Sequence, residues 1–304
     1  MNPIVQEILL KRAKQLGNLP AMPKILSVLN EALVAPVGQV DVENIVRTIS
    51  YDESLVAQCL RMANSALYRQ RGEVDTVMDA VVSLGLWRIR DLVFSCALPR
   101  MFTSLSVLLP KEVFWHHALA TALLSQKLSD DLGHSHNAHV YLAGLLHDIG
   151  ILTNALLFPE DFNDVFREAI SERIAITSVE KRVLGFTHAE SGRVLADAWK
   201  LPLESAEAIE FHHSTESQPE PSDTTLFVHL ADQFCLQRGS GYGYAVLDGE
   251  SDTISAGWSL LAEKFPRARR FTGEEYAVVV DSTLVTARDL ADRVFGPVPL
   301  NVPK

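Results

Sequence analysis

From Ala138 to Phe158 the chain is apolar almost throughout, and His147 and Asp148 stand side by side in the middle of that run. Apolar residues over such a length predict a buried helix. An imidazole and a carboxylate left unpaired there carry a large desolvation cost. A divalent cation is the most economical partner, because neutral imidazole and carboxylate are both ligands for first-row metals. A hydrogen-bonded polar network without metal is the other solution. The run is nearly long enough to cross a bilayer, but its central His-Asp pair and the acidic Glu160-Asp161 beyond it favour a core helix.

Helical periodicity dominates the rest of the chain. Helices are expected over Val5–Leu16, Pro23–Leu33, Val42–Ile49, Leu55–Tyr68, Val74–Leu84, Leu86–Phe102 and Lys111–Leu132. Shorter ones are expected over Asp161–Ser171, Ser178–Leu184, Ala189–Lys200, Pro202–His212 and Thr225–Arg238. Gly17 with Pro20, and Pro36 with Gly38, read as helix stops; Gly85 separates two helices, and Asp41 and Asp52 (or Ser54) read as N-caps. From Gly239 the texture changes to a flexible, glycine-rich turn, Gly-Ser-Gly-Tyr-Gly-Tyr. Tyr276–Asp281 is the one strand-like run, before a last helix over Leu284–Phe295. No internal repeat is visible.

With 304 residues the chain can form one large or two modest domains. The net charge of −11 argues against a nucleic-acid partner, and the short run Arg267-Ala-Arg-Arg270 reads as a solvated face. The N-terminus meets Lys11 and Arg12 too early for a secretion signal. Cys59, Cys96 and Cys235 lie far apart with no CxxC spacing, which suits buried thiols in a reducing compartment. The expectation is a cytoplasmic protein with neither membrane nor nucleic acid as partner.

The remaining histidines sort by context. His134, His136 and His139 cluster in a polar turn, where solvent exposure is expected, and His229 reads as a satisfied core imidazole. His116 and His117 are consecutive on a helix, about 100° apart, so only one can face the core. His188 opens a helix. His212 and His213 end one, where fraying lets consecutive imidazoles converge. Asp232, amid Val228-His-Leu-Ala-Asp-Gln-Phe, is a second carboxylate that needs a partner.

The order His, His-Asp, His, His-His, Asp, each on its own helix, resembles the HD superfamily of metal-dependent phosphohydrolases. Leu19-Pro-Ala-Met-Pro, Leu60-Arg-Met-Ala-Asn-Ser-Ala-Leu-Tyr-Arg69, Ala80-Val-Val-Ser-Leu-Gly-Leu-Trp-Arg-Ile-Arg-Asp-Leu92, Phe114-Trp-His-His and Ile209-Glu-Phe-His-His resemble, more narrowly, the HDOD family. The resemblance covers roughly residues 15–240 and implies an all-α fold. It implies an N-terminal helical bundle over 1–106 and an HD-type helical metal-binding subdomain over 107–240; residues 241–304, which it does not explain, read as a small C-terminal appendage of unknown role. Carried over by position, His117, His147, Asp148 and Asp232 match one metal's ligands. His188, His212 and His213 match a second metal's, with Asp148 able to bridge, as in the related HD-GYP cyclic-di-GMP phosphodiesterases. Fe(II), Mn(II), Ni(II) or Zn(II) suits such donors, and a dinuclear centre can generate a hydroxide and clamp a phosphoryl group.

Two departures weigh against that chemistry. Ile151 stands where HD-GYP enzymes carry a lysine, and Ser214-Thr-Glu-Ser follows the paired histidines in place of a Gly-Tyr-Pro element. Gly241-Tyr-Gly-Tyr lies far downstream of that position. Lys181 and Arg193 are near the ligands in sequence and could meet a phosphate, though an exposed-helix role is the plainer reading. The favoured function is a regulatory, signal-transducing protein that keeps one or two metal ions and acts through protein partners in trans. A metal-dependent phosphohydrolase or phosphodiesterase, with His147 and Asp148 as the catalytic candidates and a phosphate-containing small molecule as substrate, is the alternative.

Overall fold

The computed structural model describes residues 2–16, 19–34, 40–69, 72–103, 105, 107–134, 139–218, 220–244 and 250–298. Gly17, Pro36, Gly38 and His136, read above as helix stops and a turn histidine, lie outside them. Among the described residues every regular element is helical.

Two compact units emerge, one made of residues 20–104 and the other of 1–19 together with 105–304. Helix α1 (Pro3–Leu16) belongs to the larger unit. The expected N-terminal subdomain, 1–106, thus loses its first helix, and the cause is packing. Val5, Leu9 and Ala13 share one face of α1 and are buried against Leu157, Phe186 and Val194. Burying a valine or leucine contributes about 1.5–3 kcal/mol, enough to decide where a short helix docks.

The smaller unit holds α2 (Lys24–Val34), α3 (Val42–Ser50), α4 (Glu53–Ala63), α5 (Val77–Leu84) and α6 (Leu86–Met101). Asp41 and Asp52 cap α3 and α4 by accepting from the backbone N–H groups of Asn44 and Leu55. The helix expected to reach Tyr68 stops at Ala63. Asn64 follows, and its amide donates to the Val74 carbonyl and accepts from the Val74 N–H, each at 2.8 Å. That pairing competes with helix propagation. It also ties down Val74, so α5 starts three residues later than expected, with Thr76 as its cap. Gly85, at φ +82°, makes the sharp junction between α5 and α6.

The larger unit is arranged about α7 (Lys111–Leu132), which is buried along most of its length. It packs against α8 (Val140–Leu146). Next come α9 (Ile149–Leu157), α10 (Pro159–Glu172), α11 (Ile176–Val183), α12 (His188–Ala198), α13 (Leu203–Phe211) and α14 (Asp223–Gln237). Helix α12 packs between α9 and α13, and α14 returns against α7 and α13. Pro159, at the head of α10, uses the proline-tolerant first turn. The stretch Val140–Leu157, long and apolar enough to cross a membrane, is almost wholly buried within this helical body.

Within that apolar run, the described stretch Val140–Phe158 is not one helix. It breaks at His147-Asp148, where Asp148 takes φ −98°, ψ 11° and starts α9 without lending its side chain as a cap. The C-terminal residues also differ from expectation. They form α15 (Glu250–Lys264) and α16 (Gly273–Phe295), and α16 lies along α7. The strand-like Tyr276–Asp281 is helical: Thr272 and Glu275 form a capping box ahead of it, and buried Tyr276, Val280, Ala287, Leu290 and Ala291 recur at helical spacing. Tertiary packing on α7 overrides the β-propensity of the three valines.

Candidate metal centre

All the ligand candidates meet in the larger unit, at the break between α8 and α9. His117 comes from the middle of α7, and His147 and Asp148 form the break itself. The capping box of Thr187 and Glu190 starts α12 so that His188 is its first residue. His212 and His213 follow the C-terminus of α13, and Asp232 projects from α14. His117, His147, Asp148, His188, His212 and Asp232 are 0–3% exposed, whereas the His213 side chain is 26% exposed.

Glycine permits this convergence. A Cβ on Gly150 would lie 1.8 Å from the His188 carbonyl oxygen and 2.7 Å from the Gly192 nitrogen. Only a glycine at 150 lets α12 come close enough to deliver His188 to Asp148.

Asp148 divides the centre. Its Oδ2 faces the His147 Nε2 at 3.1 Å and the His117 Nε2 at 3.6 Å. Asp232 Oδ1 joins that side, 3.1 Å from His117 and 3.7 Å from His147. Asp148 Oδ1 faces the other way, 3.1 Å from the His188 Nε2 and 3.3 Å from the His212 Nε2. His213 completes this second group with its Nε2 3.0 Å from that of His188, and its Nδ1 lies 3.9 Å from Asp232 Oδ2.

The orientation of each ring settles which nitrogen points inward. The Nδ1 atoms donate outward: His117 to the Ser240 carbonyl at 2.6 Å, His147 to Gly144 at 2.7 Å, and His212 to Ile209 at 2.9 Å. His188 Nδ1 donates to the carboxylate of Glu180 at 2.7 Å. In the neutral ring that leaves each Nε2 a bare lone pair. Lone pairs from four imidazoles and two carboxylates converge, and Asp148 Oδ1, His212 Nε2 and Asp232 Oδ2 are buried with no hydrogen-bond partner. Such a set requires cations, either protons or metal. These residues therefore fit a divalent metal, and two groups of donors around Asp148 could each hold one.

The electrostatics agree. Burial by itself lowers the basicity of His147, but Asp148 and Asp232 outweigh it and hold its pKa at about 10. Burial likewise opposes protonation of His188, and Glu180 with Asp148 raises it to about 10. Burial would raise the Asp148 carboxyl, yet His147, with His188 and His212, keeps it well below the usual carboxylate range. Burial holds His212 and His213 below the ordinary imidazole value.

Glu180 and Tyr242 were not among the sequence candidates. Glu180 on α11 is fully buried, accepts from the His188 backbone N–H at 2.9 Å as well as from its ring, and is held by Asn154. Its signal was legible, since Glu180 shares the apolar face of Ile176 and Val179. Tyr242, 1% exposed, donates to Asp148 Oδ2 at 2.7 Å. Burial, and then Asp148, raises its phenol well above 10, so it stays a neutral donor. It sits in the glycine-rich run read above as a flexible turn.

Other candidates lie elsewhere. His116 bonds the Gly296 carbonyl, and His134 faces Asp223. His229 donates to the His212 carbonyl at 2.6 Å, which makes it a satisfied core imidazole as expected. Lys181 pairs with Glu190, and Arg193 with Asp197 and Glu210. Ile151 is fully buried.

Fold and site together define an all-α protein with an HD-type cluster of histidines and aspartates. The chain belongs to the HDOD family, whose domain model matches residues 19–215. It is 27% identical over 255 residues to an uncharacterized protein of Treponema pallidum (strain Nichols), a match covering 82% of this chain and 47% of that one. The chain thus spans about half the length of that relative. Among solved structures, an HDOD domain protein of unknown function from Geobacter sulfurreducens superposes with a TM-score of 0.80 at 27% identity, covering 95% of this chain and 99% of that one. A candidate phosphohydrolase from Shewanella amazonensis SB2B superposes with a TM-score of 0.72 at 24% identity, covering 94% and 97% respectively.

Proposed function

We propose that this HDOD protein is a metal-holding regulatory component of signal transduction, which keeps two divalent cations and acts on protein partners in trans. The observation that carries this reading is enclosure. Six of the seven donors are almost fully buried, and only His213 reaches the surface. A centre of that kind favours retention of metal over admission of a bulky phosphodiester. Ile151 adds to the argument, because it buries an apolar side chain where a phosphate-holding cation would be needed.

A metal-dependent phosphohydrolase is the second reading, and the division of Asp148 favours it. One carboxylate with an oxygen in each of two imidazole groups suits paired metals acting on a phosphate ester. Bound there, Fe(II), Mn(II), Ni(II) or Zn(II) would supply Lewis acidity. His117, His147 and Asp232 would hold one ion, and His188, His212 and His213 the other. Tyr242 would keep its proton and fix Asp148, and Glu180 would fix His188.

The two readings separate in one assay. Protein loaded with Mn(II) or Fe(II) is incubated with cyclic dinucleotides, mononucleotides and an aryl phosphodiester. The regulatory reading expects no turnover of any of them. Turnover that disappears in Asp148→Ala would establish the hydrolase instead.

A further inference from the structure

We propose that Tyr242 and the Ser240 carbonyl form a strap that positions one half of the metal centre, the His117–His147–Asp232 half, and leaves the other half to the helices. This inference rests on the metal-holding reading above and assigns a role to residues that lie beyond the family match.

The strap makes four contacts, three of them with donors on one side of Asp148. The Tyr242 hydroxyl donates to Asp148 Oδ2, the oxygen facing His147 and His117. The Ser240 carbonyl accepts from His117 Nδ1 and so turns the His117 Nε2 inward. The Tyr242 ring meets the His117 ring edge-on at 4.7 Å and stacks on Phe114 at 6.0 Å. On the other side His188 and His212 take their ring partners from the helical part of the chain, Glu180 and Ile209.

The sequence around Tyr242 suits this geometry. Gly239 and Gly243 flank the strap at φ +71° and +92°, values a side chain rarely tolerates, and they let the chain leave α14 and turn sharply inward. Tyr242 is thereby buried in a segment that is otherwise glycine and serine. It acts on the metal through Asp148 and is a positioning residue. Orienting groups of this kind govern metal affinity by about 10- to 100-fold.

Tyr242→Phe keeps the ring and its stacking and removes only the hydroxyl. In the whole 304-residue chain, Mn(II) titration should show the wild type binding at both halves. Tyr242→Phe should bind about 10- to 100-fold more weakly at one half, with the other unchanged. Electron paramagnetic resonance gives a readout that a general loss of fold would not mimic. At limiting Mn(II), the spin-coupled signal of paired ions should give way to that of isolated Mn(II), while the unfolding temperature stays near that of wild type. Tyr276→Phe, which removes a phenol hydroxyl bonded to Asp131 away from the centre, should bind Mn(II) as wild type does. Equal binding at both halves in Tyr242→Phe, or equal weakening of both, overturns the strap alone. A wild type that takes up no Mn(II) overturns the centre and the strap together.

Discussion

On one side of Asp148, ring orientation comes from close by in the chain. His188 is held by Glu180, eight residues earlier, and His212 by Ile209, three residues earlier. On the other side it comes largely from far away. Ser240 reaches back 123 residues to His117, and Tyr242 reaches back 94 to Asp148. His147, bonded to Gly144, is the local exception on that side. The family match ends at 215, so the first group lies wholly inside it, whereas Asp232 and Tyr242 of the second lie outside. The same donor chemistry is thus assembled once by neighbouring helices and once by a distant turn.

Asp148→Ala should break both halves and have the largest effect. Elemental analysis of the purified variant should find no bound metal, and full metal content would refute the shared-carboxylate assignment. Gly150→Ala should strike the local half. The added methyl meets the His188 backbone, so thermal unfolding should reveal a loss of about 1–3 kcal/mol, with metal lost first from the His188 group. Unaltered stability would mean that α9 and α12 are not in close contact.

Glu180→Gln is the counterpart of Tyr242→Phe. It should weaken binding at the His188 half by about 10- to 100-fold and spare the His117 half, as read by two-site titration. Weakening of the opposite half would contradict the division.

The smallest effect concerns protons and should be shared equally. His147 in one half and His188 in the other are raised to about 10, so without metal both carry protons in the neutral range. Metal needs the bare nitrogens. Uptake should therefore release about one proton per ion, and apparent affinity should rise with pH through neutrality and level off near pH 10. Acid should strip the metal. Mn(II) titration in weak buffer with an indicator dye checks this, and uptake without proton release would contradict it.

The same contrast explains what was legible in the sequence. Helix α7 could be read residue for residue because its pattern is local. The clustered histidines and aspartates stood out as polar residues in apolar contexts, whereas the choice of His117 over His116 came from the resemblance. The break at His147-Asp148 was hidden, since Asp148 gives its carboxylate to imidazoles from other helices rather than to a cap. Tyr242 was hidden for a related reason: glycine-rich sequence marks backbone freedom but not the destination of the side chain between the glycines. Helix α16 misled through three valines whose environment is set by α7, which lies far away in sequence. The grouping of α1 with the larger unit was likewise decided by Leu157, Phe186 and Val194.

In the proposed centre one carboxylate, Asp148, separates two metal positions. Anomalous diffraction from crystals of the wild-type protein grown with Mn(II) tests it most directly. Two peaks should flank Asp148, one beside Oδ2 among His117, His147 and Asp232, and one beside Oδ1 among His188, His212 and His213. A well-ordered crystal with no peak, or with a single peak on one side of Asp148, would contradict it.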